Sequence, residues 1–224
     1  MSKVKLKKKQ KNPEFQEIYG FHSVSAALQN TKRKHFSLFI IEKYQDLFKK
    51  YSIRIGKIKI LTNKEMSKLF GKESVTQGIV LKSSPLPTIN FEKICIDSQS
   101  KETSIIVVLD QVTDPNNIGS IMRSCALFQC KSIILPKDHA PDITPALSKA
   151  ASGAVEMVNY VKVVNLKRSL QYLKKLGYWI YGLDNNANQK NKQIDLPKKC
   201  VLVLGSEGKG IRDINKKECD NLIA

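Results

Sequence analysis

Five short apolar runs alternate with helix-like segments over the second half of the chain, and this alternation constrains the fold most. The runs are continuous, as in Val201-Leu202-Val203-Leu204, and do not alternate with polar residues. Continuous apolar strands are typical of parallel sheets covered on both faces. Strand–helix repetition therefore predicts an open parallel α/β sheet. The predicted strands are 104–109, 131–135, 160–164, 178–182 and 200–204, and the predicted helices are 117–129, 144–152 and 166–176.

A smaller α/β unit is predicted before this sheet. Its predicted strands are 37–41, 58–61 and 77–81, and its predicted helices are 24–30, 44–51 and 63–70. Asn63 is expected to cap the last of these helices and Gly71 to end it. The chain is thus predicted to consist of a basic tail (1–17), a first domain (18–82), a linker (83–103) and a second domain (104–224).

The net charge of +18 is unevenly distributed along the chain. Residues 1–72 hold 18 Lys and Arg against 5 Asp and Glu, whereas the remaining residues hold 20 against 15. Such a concentration of basic charge is typical of a protein that binds a polyanion. The alternative is compositional drift, since lysine outnumbers arginine 33 to 5. We therefore expect nucleic-acid binding, with the first twelve residues as a solvated basic tail.

Three classes of protein or site find no support in the composition. No apolar run approaches the roughly 18 residues of a membrane span. The start of the chain, MSKVKLKKKQKN, lacks the apolar core of a secretory signal. The five cysteines have no metal-ligand spacing, so we predict buried free thiols in a reducing compartment. The three histidines, His22, His35 and His139, are expected to be surface or packing residues.

The loops that follow the predicted strands are where a ligand is expected, because open parallel sheets bind ligands beyond the carboxyl ends of their strands. The first such loop reads Asp114-Pro-Asn-Asn-Ile-Gly119. Asn116 or Asn117 is expected to cap the following helix, and Gly119 to allow close approach of another group. Arg123, four residues further on, is a candidate phosphate or ribose contact. The alternatives are simple capping for the asparagines and a surface ion pair for Arg123.

A second candidate loop, Gly205-Ser-Glu-Gly-Lys-Gly210, follows the last predicted strand. Three glycines in six residues indicate either close approach by a ligand or a very tight turn. The spacing matches neither the dinucleotide fingerprint nor a phosphate-binding P-loop. Glu207 also argues against phosphate binding, because its carboxylate would repel the anion.

Taken together, the two loops resemble the motifs of the SpoU (TrmH-type) branch of the SPOUT RNA methyltransferases. Residues 114–124 resemble the family's first motif, and residues 204–211 resemble its second. Residues 19–24 and 76–80 resemble the L30e-like substrate-binding domain of many members. In layout the chain is similar to bacterial 23S rRNA guanosine 2′-O-methyltransferases.

The resemblance implies a small L30e-like α/β domain followed by a parallel-sheet α/β-knot (SPOUT) domain. It implies a cytoplasmic, metal-free homodimer that binds RNA and uses S-adenosylmethionine to methylate a ribose 2′-hydroxyl. The implied catalytic residues are Arg123, Asn117 and Glu207, with Asn117 and Glu207 holding Arg123. The implied cofactor-binding residues are Leu183, Gly205 and Gly182. In the family a third motif begins at the position of residues 219–224. Because these are the last residues of the sequence, the second domain is expected to lack its last segment.

Three alternatives to this reading stay open. The chain could be an RNA-binding remnant without turnover, or a tRNA 2′-O-methyltransferase. A nucleotide-dependent oxidoreductase is the weakest alternative, because the fingerprint glycines and the acidic residue that binds the ribose are both missing.

Overall fold

The structure of the protein, a computed structural model, describes residues 15–52, 54–72, 74–138, 140–185, 187 and 195–224. Most of the predicted basic tail and His139 lie outside these residues. Within them the chain forms two sheets, one of four strands and one of six. No helix in the described ranges is both long enough and apolar enough to cross a membrane.

The first sheet belongs to the N-terminal domain and is mixed. Its strands are β1 (Gln16–Tyr19), β2 (His35–Ile40), β3 (Ile58–Ile60) and β4 (Ile79–Ser83), and its helices are α1 (Phe21–Gln29), α2 (Gln45–Lys49) and α3 (Asn63–Phe70). The strand order is β1-β4-β2-β3, with β4 antiparallel to both of its neighbours and β2 parallel to β3. The three predicted strands are confirmed with small shifts of their ends, whereas β1 was not predicted.

Helix α3 has a different cap from the one predicted. Thr62, not Asn63, is the N-cap: its hydroxyl accepts a hydrogen bond from the Glu65 backbone, and the Glu65 carboxylate accepts one from Thr62 N at 2.8 Å. This reciprocal capping box satisfies two helix-end donors at once, which a lone asparagine cannot do. Gly71, with φ of +91°, ends the helix as predicted.

Aromatic residues of this domain mainly serve its core. Phe21 and Tyr44 both pack around the buried Phe48, with ring centroids 5.8 and 6.2 Å from it. Phe39 is buried on the opposite face of the sheet with Met66 of α3. Phe21, Phe39 and Tyr44 therefore pack within the domain.

The second sheet is parallel throughout, as predicted. Its strands are β5 (Ser104–Asp110), β6 (Ser132–Pro136), β7 (Asn159–Val163), β8 (Trp179–Leu183), β9 (Lys199–Gly205) and β10 (Asn221–Ile223), in the order β10-β8-β9-β5-β6-β7. The helices are α4 (Phe91–Gln99), α5 (Pro115–Leu127), α6 (Pro145–Ala150), α7 (Leu166–Lys175) and α8 (Asp213–Lys216), with a 3-10 turn at Ala154–Glu156.

The two faces of this sheet are covered by different helices. Ile106 and Val108 of β5 share a core with residues of α4 and α7. Val107 and Leu109, which alternate with them, share another core with residues of α5 and α6. Burial on both faces is why these strands are continuous apolar runs.

Helix α4 lies inside the segment predicted as a linker, and α8 and β10 were not predicted either. Asn90 caps α4 by accepting a hydrogen bond from Lys93 N, and Ile94 and Cys95 are buried against the sheet. This segment therefore packs as part of the second domain's core. α8 and β10 are too short, at 4 and 3 residues, to show a periodic pattern.

Helix α5 begins at Pro115, and its N-cap is Asp114, whose side chain accepts a hydrogen bond from Asn116 N. The prediction that Asn116 or Asn117 caps this helix was therefore wrong, because Pro115 occupies the first helical position and the residue before it is the cap. Thr144 caps α6 ahead of Pro145, at the start of the helix predicted over 144–152.

Gly119 makes its close approach to another helix. A Cβ added to Gly119 would lie 2.6 Å from Ala150 Cβ and 2.9 Å from Ala150 C. The glycine therefore allows α5 and α6 to pack closely, and it is buried away from the loop that precedes α5.

The five cysteines are free thiols, four of them buried and Cys219 half-buried. Burial raises the pKa of the Cys95 and Cys200 thiols to about 11, so few of these groups are reactive thiolates at neutral pH. The predicted buried free thiols are confirmed for the four.

We expect Gly119→Ala to destabilise the protein by up to about 2 kcal/mol. Alanine favours a helix over glycine by about 1 kcal/mol, but overpacking against the α6 backbone costs about 1–3 kcal/mol. Urea denaturation should show a lower midpoint. Ser124→Ala, at an exposed position of the same helix, should leave it almost unchanged. A Gly119→Ala protein as stable as the parent would contradict the close packing.

Candidate active site

Three loops leave the parallel sheet at one edge because their strands run in the same direction. Asp110 at the end of β5 is in register with Gly205 at the end of β9. On the other side of β9, Leu204 is in register with Leu183 of β8, which in turn is in register with Ile223 of β10. The loops after residues 110, 183 and 205 therefore start side by side, as the sequence predicted.

A cleft of about 440 Å³ opens at this edge between the start of α5 and the end of β9. Its apolar wall comes from Val112, Ile121 and Leu204, and Asn117, Ser120 and Glu207 are among its polar groups. The remaining lining residues are Gln111, Thr113, Asp114, Gly205 and Ser206. A cleft of this size, with an apolar wall beside polar groups, falls within the range of small-molecule sites.

Asn117 and Glu207, 90 residues apart in the chain, meet across this cleft. Asn117 Nδ2 donates a hydrogen bond of 2.9 Å to Glu207 Oε1. The contact joins the first turn of α5 to the glycine-rich loop, so the two sequence motifs form one site.

Arg123 lies further along α5 and does not contact Glu207. Its position eight residues beyond Pro115 places it about 12 Å along the helix axis, on the flank next to Ser120. Its side chain is exposed, and it forms no hydrogen bond or ion pair with any other residue in the described ranges. The expectation that Asn117 and Glu207 hold Arg123 is therefore wrong: the two bind each other, and the guanidinium is left free for another anion.

The glycine-rich loop is a tight turn closed by two backbone hydrogen bonds. Ser206 N donates to Gly210 O at 3.2 Å, and Gly210 N donates to Ser206 O at 2.8 Å. A Cβ on Gly205 would lie 1.9 Å from the Gly210 carbonyl carbon, so no other residue fits there. Gly205 thus serves the turn itself while its backbone also lines the cleft.

Gly182 and Leu183, the other predicted cofactor-binding residues, have different surroundings. Gly182 is buried, and an added Cβ would lie 2.8 Å from Leu222 Cδ2 and 2.9 Å from Cys219 Sγ. Its lack of a side chain is therefore required by packing, and it does not line the cleft. Leu183 is 41% exposed and lies beside Leu204, at the margin of the cleft.

Sequence reasoning missed a buried ionic network behind the cleft. Asp110 is fully buried, and its carboxylate accepts hydrogen bonds from the Arg212 backbone N at 2.9 Å, Arg212 Nε at 2.8 Å and Asn215 Nδ2 at 2.8 Å. Arg212 Nη2 adds an ion pair at 2.8 Å. The network fixes the segment after the glycine-rich loop to the end of β5. The feature of the sequence that could have indicated this network is Asp110, a charged residue at the end of an apolar run.

The described residues contain no group of three or more His, Cys, Asp or Glu that could hold a metal ion. His22 is exposed. His35 lies 3.2 Å from Ser83 Oγ, and burial, followed by the charge of Arg33, keeps its pKa below the usual value. Both histidines lie in the N-terminal domain, away from the residues that line the cleft, in agreement with the surface or packing role expected for them.

We expect Arg212→Met to destabilise the protein more than Asp110→Asn does. Losing the arginine leaves a buried carboxylate uncompensated, which costs about 3–5 kcal/mol. Losing the aspartate leaves a guanidinium that water can still reach, since the Arg212 side chain is 42% exposed, so the cost should be about 1–3 kcal/mol. Chemical denaturation measures both. Lys209→Met, in the exposed part of the same loop, is the control, and equal losses in the two variants would contradict this account.

Comparison with known proteins agrees with this architecture. A model described as the SpoU rRNA Methylase family matches residues 104–224, and one described as RNA 2′-O ribose methyltransferase substrate binding matches residues 18–89. The 23S rRNA (guanosine-2′-O-)-methyltransferase RlmB of Coxiella burnetii is 34% identical over 211 residues, covering 92% of this chain and 84% of the relative. Its counterpart in Pseudomonas putida is 31% identical, covering 94% and 86%.

Solved structures share the fold. The SpoU methyltransferase AviRb of Streptomyces viridochromogenes, in complex with the cofactor AdoMet, superposes with a TM-score of 0.74 at 17% identity over 94% of this chain and 80% of that one. A TrmH-family protein of Porphyromonas gingivalis gives 0.70 at 21% identity, over 94% of this chain and 79% of that one. With two motifs joined in one cleft and both domains matched, the chain belongs to the SpoU rRNA methylase family.

Proposed function

We propose that this protein methylates the 2′-hydroxyl of a ribose in RNA, with S-adenosylmethionine as methyl donor and a guanosine of 23S rRNA as the target. The observation that carries the proposal is the Asn117–Glu207 contact, which joins the two family motifs in one cleft at the carboxyl edge of the sheet. Relatives named for this reaction on 23S rRNA are similar over more than 90% of the chain, which supports the choice of substrate.

The cleft has properties that suit the cofactor. Val112, Ile121 and Leu204 offer an apolar wall for a base, and the backbone around Gly205 offers peptide groups for hydrogen bonds. Asp114 and Glu207 add negative charge, which favours a cationic ligand. When bound, S-adenosylmethionine supplies a methyl group on a positively charged sulfonium. We assign its binding to Gly205 and Leu183, with Gly182 shaping the end of β8.

Arg123 is proposed to bind the phosphate next to the target ribose. A guanidinium is almost never deprotonated in proteins, so it cannot readily act as a base. Its planar fork instead suits two oxygens of one phosphate. A phosphate held there would fix the ribose relative to the cleft, and such positioning accounts for much of the rate enhancement in transfer reactions.

Asn117 is proposed to orient the ribose hydroxyl. Glu207 accepts a hydrogen bond from its Nδ2, which fixes the amide plane. Its Oδ1 has no partner among the described residues and can accept a hydrogen bond from the hydroxyl. Polarising the O–H bond in this way strengthens a poor nucleophile.

A homodimer with the site near its interface is also proposed, together with the knotted chain path and the cytoplasmic location expected for the family. An apolar cluster supports the dimer. Tyr181, Cys200 and Ile223 form a core cluster of strand residues without a helix over it in the described part of the chain. Trp179, on the same face of β8, is 54% exposed.

The test is methyl transfer by the purified chain to transcribed 23S rRNA. We expect a single 2′-O-methylguanosine in nuclease digests analysed by mass spectrometry, and saturable S-adenosylmethionine binding in calorimetry. Asn117→Ala should lower transfer, whereas Lys209→Ala should not. Methylation of tRNA and not of 23S rRNA would show that the substrate is tRNA. RNA binding without cofactor binding would favour an RNA-binding remnant without turnover.

We expect Arg123→Lys to lower kcat/KM for RNA by about 10–100-fold, because lysine cannot form the bidentate fork. Single-turnover methylation measures the loss, and cofactor affinity should not change. Arg168→Lys, at an exposed arginine of α7, is the matched control. An Arg123→Lys enzyme with activity close to that of the parent and an unshifted pH–rate profile would show that Arg123 does not bind phosphate.

A further inference from the structure

A buried ion pair joins the N-terminal domain to the second domain. Arg33 Nε lies 2.8 Å from Glu156 Oε2, and Arg33 Nη2 lies 2.8 Å from Glu156 Oε1. The two side chains are only 1% and 6% exposed. The bidentate geometry fixes both the distance and the relative orientation of the two groups.

The remaining polar atoms of the pair also have partners. Arg33 Nη1 donates to Ser84 O at 2.6 Å and to Gln16 Oε1 at 3.2 Å. Glu156 Oε2 accepts from Asn30 Nδ2 at 2.7 Å. The guanidinium therefore holds three parts of the chain together: β1, the segment that leaves β4, and the 3-10 turn of the second domain.

The surfaces around the ion pair fit closely. Ser23 Oγ donates to Ser148 O at 2.8 Å, and Gln16 Nε2 donates to Ile143 O at 2.8 Å. Gly153, with φ of +91°, faces Ala26, and an added Cβ would lie 2.7 Å from Ala26 Cβ. Close packing and directional hydrogen bonds leave a single arrangement of the two surfaces.

The interface continues directly to the candidate active site. The 3-10 turn that carries Glu156 packs against both α1 and α5, and α6 packs against β1 and α5. Helix α5 carries Asn117 and Arg123. The orientation of the N-terminal domain is thus set relative to the helix that presents the two proposed RNA contacts.

We infer that Arg33 and Glu156 are positioning residues that lock the two domains of one chain into one orientation, so that RNA binds a single rigid surface made by both. The RNA part of this inference rests on the proposed function. The N-terminal part of the chain carries most of the excess positive charge, so RNA bound there must place one ribose at the cleft. A fixed orientation removes the entropy cost of aligning two loosely linked modules.

The ion pair fixes the relative orientation of the two domains more than it strengthens their association. Two buried charges lose hydration, and this loss offsets much of their attraction. Substituting one partner, however, leaves the other buried without compensation, so the closed interface becomes unfavourable relative to a separated one in which water reaches the charge. Glu156→Gln should therefore loosen the domains without unfolding either. Arg33→Lys keeps the positive charge but loses the bidentate geometry and the Nη1 contacts to Ser84 and Gln16, so it should act in the same direction.

The experiment compares full-length parent, Glu156→Gln and Arg33→Lys proteins. We expect a larger radius of gyration in small-angle X-ray scattering and about a 10–100-fold higher KM for 23S rRNA in both variants. The kcat value should change much less, and cofactor affinity should not change. Asn30→Ala, which removes one hydrogen bond to Glu156, should give a smaller effect in the same direction and serves if the stronger variants fail to fold.

Ser148→Ala is the matched control in the same interface. Its hydroxyl is buried and is the one side-chain polar atom in the described residues that is buried without a hydrogen-bond partner, so its removal should leave scattering and KM unchanged. Compact scattering with parental KM in Glu156→Gln and Arg33→Lys would overturn the inference. So would a parallel loss of cofactor and RNA affinity, which would show a general structural defect.

Scattering and RNA binding separate this inference from the proposed reaction. Both are measured without turnover, the binding by fluorescence anisotropy with a 23S rRNA fragment. If the parent protein transfers no methyl group yet the variants expand and bind RNA more weakly, the proposed function fails and the positioning role stands. If the parent methylates RNA and the variants behave as the parent does, the positioning role fails and the function stands.

Discussion

The parallel pairing of β5 with β9 is the constraint on which the candidate site depends. The register runs over seven residues, from Ser104 opposite Lys199 to Asp110 opposite Gly205. A slip of one residue would turn every side chain of one strand to the other face. Leu204 would then leave the cleft, and Glu207 would no longer meet Asn117. The apolar runs that form these strands are therefore as important to the site as the polar residues that line it.

The sequence predicted most of the fold because its signals are local. Continuous apolar runs indicated the strands of the parallel sheet, and Gly71 marked the end of a helix. Helix α4 was missed because only a few of its residues are buried, and its partners, such as Tyr172 beside Phe91, lie far along the chain. β10 has three residues, and only its pairing with β8 makes it a strand. Such elements depend on tertiary contacts that no local pattern contains.

The candidate site was predicted by location more reliably than by contacts. Asn117, Glu207 and Gly205 were expected at one edge and line one cleft, but the expected partner of Glu207 was wrong. Side-chain pairing depends on distances of a few ångströms between elements 90 residues apart, which spacing cannot give. The Asp110–Arg212 pair was missed for the same reason. Gly182 shows a further limit, since a glycine in a motif can be required by neighbouring side chains.

The network around Asp110 involves none of the residues that line the cleft. Arg212 and Asn215, which follow the turn, are held by Asp110 and not by a side chain that lines the cleft. Scaffold and recognition surface are therefore separable. Residues such as Thr113 and Ser120 can diverge and change what the cleft accepts while these contacts are kept. A fold arranged in this way can acquire new specificities by changing its lining alone, without renewed selection for stability.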